Sequence, residues 1–125
     1  MGDEILGVGV DMESITRFKN KNSRKARLLL DKIFTKKELE YCLEKPNPPQ
    51  HLAVRFAGKE ATIKAVSGIH SAGITPKSIE ILNEQNGAPK VIITGKIGET
   101  VRVLLSLSHS GDNALAFAIA TKKQA

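Results

Sequence analysis

The chain has 125 residues, 41% of them hydrophobic and 26% charged, which suits one globular domain with an ordinary core, and no apolar run nears the roughly 20 residues of a membrane span. The net charge of +6 favours anionic partners: nucleic acid, an acidic protein or a phosphorylated ligand. The single cysteine, Cys42, excludes an internal disulfide and a cysteine-built zinc site and suits helix packing instead.

The chain opens Met-Gly-Asp-Glu, without the apolar stretch and cleavage site of a signal peptide, so a cytoplasmic location is expected. Ile5 to Met12 reads as a strand whose alternation puts Val8, Val10 and Met12 on one face and Gly7, Gly9 and Asp11 on the other. Glycines inside a strand mark the close approach of a backbone or a ligand, and Asp11 stands at the end of that cleared lane. Its position also suits a strand-end or helix-capping role. From Ser14 to Leu30 the spacing predicts a helix burying Ile15, Phe18, Leu28 and Leu29. Six basic residues, Arg17, Lys19, Lys21, Arg24, Lys25 and Arg27, ride on it with no acid between Ser14 and Leu30.

Thr35-Lys-Lys-Glu38 is a capping box opening a short helix through Leu39 and Cys42, and Lys45-Pro-Asn-Pro-Pro49 stops it. The most periodic helix runs from about Gln50 to Ser67 and closes at Gly68. Ile79 to Leu82 and Lys90 to Thr94 read as strands flanking the turn-rich Asn83-Glu-Gln-Asn-Gly-Ala-Pro89. Val103 to His109 and Ala114 to Ala120, joined by Ser110-Gly-Asp-Asn113, read as a hairpin. One face of its second strand is all alanine, as close packing of a helix requires. His109 shares a strand face with Leu105 and Leu107, the setting of a core histidine. The whole predicts a single α+β domain spanning residues 1–125 with a mostly antiparallel sheet against helices.

In the stretch Arg55-Phe-Ala-Gly-Lys-Glu-Ala-Thr-Ile-Lys64, Leu52, Phe56, Ile63 and Val66 form an apolar stripe, yet Lys59 falls inside it and Glu60 beside it. A lysine there must snorkel or meet an anion, and the like charges of Arg55 and Lys59, one turn apart, would repel unless something negative, such as a phosphate, lies against them. Two carboxylates, Asp11 and Glu60, with cations around them suit Mg²⁺, which takes oxygen ligands from carboxylates, phosphates and water.

The blocks "GVGVDMESITRF", "FTKKELEYC", "RFAGKEATIKA", "NEQNGAPKV" and "SLSHSGDNALAFAIA" resemble, in order and spacing, the holo-[acyl-carrier-protein] synthases, the small 4'-phosphopantetheinyl transferases, over Ile5 to Ala120. The resemblance implies transfer of the 4'-phosphopantetheine arm of coenzyme A to a serine of apo acyl carrier protein, releasing adenosine 3',5'-bisphosphate. It assigns Mg²⁺ to Asp11 and Glu60 and the coenzyme pyrophosphate to Lys64. It also places Arg55, Lys59, Asn86, Gly87, Pro89 and His109 at coenzyme A, and the acidic carrier on Arg17, Arg24 and Arg27. It further implies a homotrimer with sites between subunits, and neither nucleic acid nor membrane as partner. The general base stays open among Asp11, a metal-bound water and Glu60 through water, with a water oriented by the metal carboxylates favoured.

The chain departs from the family pattern in three places. After the strand the family commonly reads D-I-x-x-E or D-I-V-E, whereas here it is Asp11-Met-Glu-Ser14, with the acid at Glu13. Gly87-Ala-Pro89 replaces G-K-P, and Ser67-Gly-Ile69 is one residue shorter than the family's G-T-G-I. Two other functions compete: a nucleic-acid-binding module built on the basic helix, opposed by 4% aromatics for base stacking, and a non-catalytic relative that binds carrier proteins, opposed by the intact Asp11, Glu60 and Lys64.

Overall fold

The computed structural model describes residues 4–20, 23–69 and 73–123. Lys21 of the basic run and the opening Met1 to Asp3 lie outside these. In chain order the elements are β1 (Ile5–Ser14), a 3-10 turn (Ile15–Phe18), α1 (Arg24–Ile33), α2 (Lys36–Leu43), α3 (Pro48–Val66), a 3-10 turn (Pro76–Ser78), β2 (Ile79–Asn83), β3 (Pro89–Ile93), α4 (Ile97–Thr100), β4 (Val101–Ser110) and β5 (Asn113–Lys122). The strands form two antiparallel sheets, β1-β5-β4 and β2-β3, so the expected α+β class and hairpins hold.

α3 is the axis of the molecule. Prolines occupy its first turn, where their missing N–H groups cost nothing, so it begins at Pro48 rather than Gln50. It ends at Val66, and Gly68 follows in the turn without adopting the left-handed conformation. Instead of one amphipathic stripe, the helix is buried on several sides: Leu52, Ala53, Phe56, Ala57, Ala61, Ala65 and Val66 are all enclosed.

One side lies on the three-stranded sheet, against Ala114, Ala116, Ala118 and Ala120 of β5, all at 0% exposure, as the alanine face required. The glycine lane of β1 completes this contact. A Cβ on Gly7 would stand 2.0 Å from the Ala65 carbonyl oxygen and one on Gly9 2.1 Å from that of Ala61, so what the lane admits is the helix backbone. The opposite side of the sheet stays open: Val8, Val10, Met12, Leu115 and Phe117 are 43–62% exposed.

The expected helix from Ser14 to Leu30 is broken. β1 continues to Ser14, and the chain is then held by the β4–β5 turn. Asp112 accepts the Thr16 N–H at 2.8 Å and the Thr16 and Ser14 hydroxyls at 2.6 and 2.5 Å, while its carbonyl accepts the Ile15 N–H at 2.8 Å. Ser23 then caps a fresh start, its hydroxyl oxygen accepting the Ala26 N–H at 3.1 Å. Ile15 and Phe18 are buried as expected, but the new phase turns Leu30 and Ile33 inward and leaves Leu28 and Leu29 exposed. The Thr35 capping box forms as read, and Cys42 packs inside, where burial pushes its thiol up to about 11.

Candidate active site

The pairing of β1 with α3 creates the first group of polar side chains. Because the glycines bring the two backbones together, Lys64 Nζ reaches across to donate to the Val10 carbonyl at 2.9 Å and to Asp11 Oδ1 at 3.3 Å. Glu60, one turn before Lys64, shares this face. Burial first, then the negative charge of Asp11, raises the Glu60 carboxyl above its ordinary range, with Lys64 and Arg17 pulling the other way. Two residues along β1, Glu13 projects to the same side as Asp11. It is raised to about 7 by burial first and then by the neighbouring Asp11 carboxyl, against the pull of Arg17.

Arg17 closes the group. Its Nη1 lies 3.1 Å from Glu13, and its guanidinium stacks 5.0 Å from the Phe56 ring centre and 5.9 Å from that of Phe18. The other oxygen of Asp11, Oδ2, is buried with no hydrogen-bond partner. An orphaned carboxylate oxygen beside two further acids is an excess of negative charge that a hard cation would satisfy. Among the described residues, no group of three or more His, Cys, Asp or Glu side chains has the geometry to hold a metal. A cation here would therefore take Asp11 and Glu60 and complete its shell with oxygens from outside the chain.

The opposite side of α3 faces β2. Arg55, 4% exposed, donates from Nη2 to Asn83 Oδ1 at 2.9 Å and stacks 4.2 Å from the Tyr41 ring centre, while its Nε has no partner. Beyond Asn83 the chain turns through Asn86, whose Oδ1 accepts the Ala88 N–H at 3.0 Å, and Gly87, whose φ of 87° only glycine adopts freely. Pro89 then opens β3. A cleft of about 530 Å³ lies between β3 and β4 and includes Pro89, Lys90 and Lys123; it does not include the carboxylates.

His109 is not in the core. Near the end of β4 it is exposed, its Nε2 3.0 Å from Nε2 of Gln50 in the first turn of α3. Arg24 and Arg27 are also exposed, on the helix whose Lys25, Leu28, Leu29 and Lys32 line a surface groove of about 470 Å³.

Lys59 corrects the sequence reading. Expected to meet a phosphate or a subunit boundary, it is 0% exposed and its Nζ lies 2.7 Å from Glu38 Oε1 of α2, also 0% exposed. Burial pulls the ammonium below its ordinary value while Glu38 opposes the shift. Lys59 is sealed from any coenzyme.

The structure thus brings Asp11, Glu60, Lys64 and Arg17 together and places Arg55 with the 83–89 turn on the far side of α3. Sequence reading left Glu13 unassigned, although its two-residue spacing from Asp11 and four-residue spacing to Arg17 are legible signals. It assigned Glu38 only a capping role and saw Asp112 only as turn.

A model of the 4'-phosphopantetheinyl transferase superfamily matches residues 7–120. The chain belongs to this superfamily. It is 40% identical over 124 residues to the holo-[acyl-carrier-protein] synthase of Geotalea daltonii, covering 94% of this chain and 99% of that one. Its fold is similar to that of the holo-[acyl-carrier-protein] synthase of Neisseria meningitidis, with a TM-score of 0.80, 30% identity and coverage of 93% and 98% of the two chains. A holo-(acyl-carrier-protein) synthase from Bacillus anthracis, solved in complex with CoA (3',5'-ADP), matches with a TM-score of 0.76, 28% identity and coverage of 95% and 98%. The chain is therefore an enzyme of the holo-[acyl-carrier-protein] synthase type. Among the described residues no helix is long and apolar enough to cross a membrane.

Proposed function

We propose that the protein transfers 4'-phosphopantetheine from coenzyme A to a serine of apo acyl carrier protein in a Mg²⁺-dependent reaction that releases adenosine 3',5'-bisphosphate. The observation that carries this reading is the Asp11, Glu60 and Lys64 group, with its orphaned buried Asp11 oxygen, in a chain of this family. Asp11 and Glu60 would hold the ion, which supplies charge neutralisation at the pyrophosphate oxygens when bound. Lys64, its side chain 56% exposed, is free to swing its ammonium from Asp11 to those oxygens. Glu60 and Asp11 orient a water that takes the proton from the serine hydroxyl. In-line positioning and charge stabilisation do the rest, as phosphoryl chemistry requires.

Arg55, His109 and the Asn86, Gly87 and Pro89 turn are assigned to the rest of coenzyme A. Since α3 separates them from Asp11 within one chain, each site combines one chain's carboxylates with a neighbour's turn, in a homotrimer. The exposed apolar face of β1 and β5 supports this assembly. Arg17, Arg24 and Arg27, with the exposed Leu28 and Leu29, form the docking surface for the acidic carrier.

The test is to incubate the protein with apo carrier, coenzyme A and Mg²⁺ and weigh the carrier. A mass gain of one phosphopantetheine arm, abolished by chelator and restored by Mg²⁺, is expected; an unchanged mass overturns the assignment.

A further inference from the structure

The open edge of β2 is closed by two buried ions in place of a third strand. Strands β2 and β3 form a sheet of their own, which leaves backbone groups of Ile79 and Ile81 pointing away from β3. The Ile79 carbonyl accepts a hydrogen bond from Lys59 Nζ, which also donates to the Pro76 carbonyl at 2.9 Å. The Ile81 N–H donates to Glu38 Oε2 at 2.7 Å. The other oxygen of Glu38 holds Lys59 at 2.7 Å and accepts the Thr35 N–H at 2.8 Å.

The same strand is tied at two further points. Glu80 accepts the Thr35 hydroxyl at 2.6 Å, and Asn83 bridges Arg55 and Tyr41 at 2.9 Å each. Stability alone does not account for such a pair, since well-packed apolar residues often replace a buried ion pair at no loss. An apolar pair, however, cannot take an N–H and a C=O two residues apart, and it is those two bonds that resist slippage of an edge strand along its neighbours.

We propose that Glu38, acting through Lys59, is a positioning residue for coenzyme A: it sets the register of β2 against α3 and so fixes where the Asn86–Pro89 turn stands. Both side chains are enclosed, so neither touches the coenzyme. The proposal rests on the reading that this turn takes part of coenzyme A. It goes beyond that reading by locating the device that holds the turn in a helix junction away from it.

The test compares kinetics of the double variant Glu38→Met/Lys59→Met, which roughly keeps the volumes, leaves no buried charge unpaired and removes both bonds to β2, with the unaltered enzyme. The KM for coenzyme A should rise about tenfold, and the Kd by calorimetry with it, while kcat at saturating coenzyme stays within about threefold. A folded double variant with unchanged KM overturns the proposal even if its melting temperature drops, because that is the behaviour of a purely structural pair. Should the double variant not fold, Glu80→Ala, which deletes one partly exposed tether of the same strand, is read in the same assay. There a rise of about threefold supports the proposal and an unchanged KM overturns it. Asn86→Ala serves as the control on the underlying reading. If it raises KM while the other variants do not, only the positioning role fails; if it too leaves KM unchanged, the turn is not at the coenzyme.

Discussion

At Asp11 the fold spends stability on charge. Its Oδ2 is buried and unbonded, and its presence raises both Glu13 and Glu60. Replacing it by Asn leaves the shape but removes the repulsion. Asp11→Asn should therefore lower the transfer rate about 10²-fold or more while leaving the melting temperature unchanged or higher, the trade expected of a strained functional site. The pair of measurements is a mass-based rate assay and a thermal melt; a large drop in melting temperature would show Asp11 to be structural. A second residue sets part of the acid sensitivity. Burial first, then the positive charges of Arg55 and Lys45, holds His51 below its ordinary 6.5. The unfolded chain thus binds the proton at a pH where the folded chain does not, so stability falls as pH drops from 6.5 through the lowered folded value. Urea unfolding between pH 7 and 5 should show a shallower loss for His51→Gln than for the unaltered chain; equal slopes would remove His51 from the account.

At the level of elements, the contact of β1 with α3 is the one on which the site depends. A methyl on Gly9 would meet the Ala61 carbonyl oxygen at 2.1 Å and the Ala65 nitrogen at 2.8 Å, both backbone atoms. Gly9→Ala should cost about 3 kcal/mol or more in urea unfolding, and a cost below about 1 kcal/mol would mean that the helix yields easily. This element was legible before the fold was known, because alternation over β1 and β5 placed the glycine and alanine faces correctly and local periodicity carries that information. The break before α1 was not legible. It depends on Asp112, 96 residues further on, catching Thr16, and no local spacing encodes such a bond. Lys59 stood out as misplaced, but its partner lay in an acid already explained by a capping box. Glu38 does both, with Oε1 shared between the Thr35 N–H and Lys59. For α1 itself, its exposed arginines predict a separable effect. Arg24→Glu with Arg27→Glu should raise the KM for the acidic carrier about tenfold, less at high salt, and leave the KM for coenzyme A unchanged.

On the scale of the whole molecule, the two halves of the proposed site face opposite ways. Lys64 and Glu60 turn to β1, while Arg55 turns to β2. A ligand spanning both in one chain would have to pass around α3, whereas a second chain laid against the bare outer sheet face can bring its own turn to the first chain's carboxylates. That face pairs Val10 with Phe117 and Met12 with Leu115 across the strands, a continuous apolar surface of the sort that marks an interface. Phe117→Asp should then convert a trimer into a monomer by light scattering and abolish most transfer. Shared sites make a sharper demand. Asp11→Asn and Arg55→Ala chains, each inactive by itself, should recover activity when co-expressed if the proposed assembly shares its sites. A random mixture pairs an intact Asp11 with a neighbour's intact Arg55 in about a quarter of sites, so activity should return to about a quarter of the unaltered level. Sites confined to single chains would give none, and a mixture no more active than either parent would place the coenzyme and the carboxylates on one subunit.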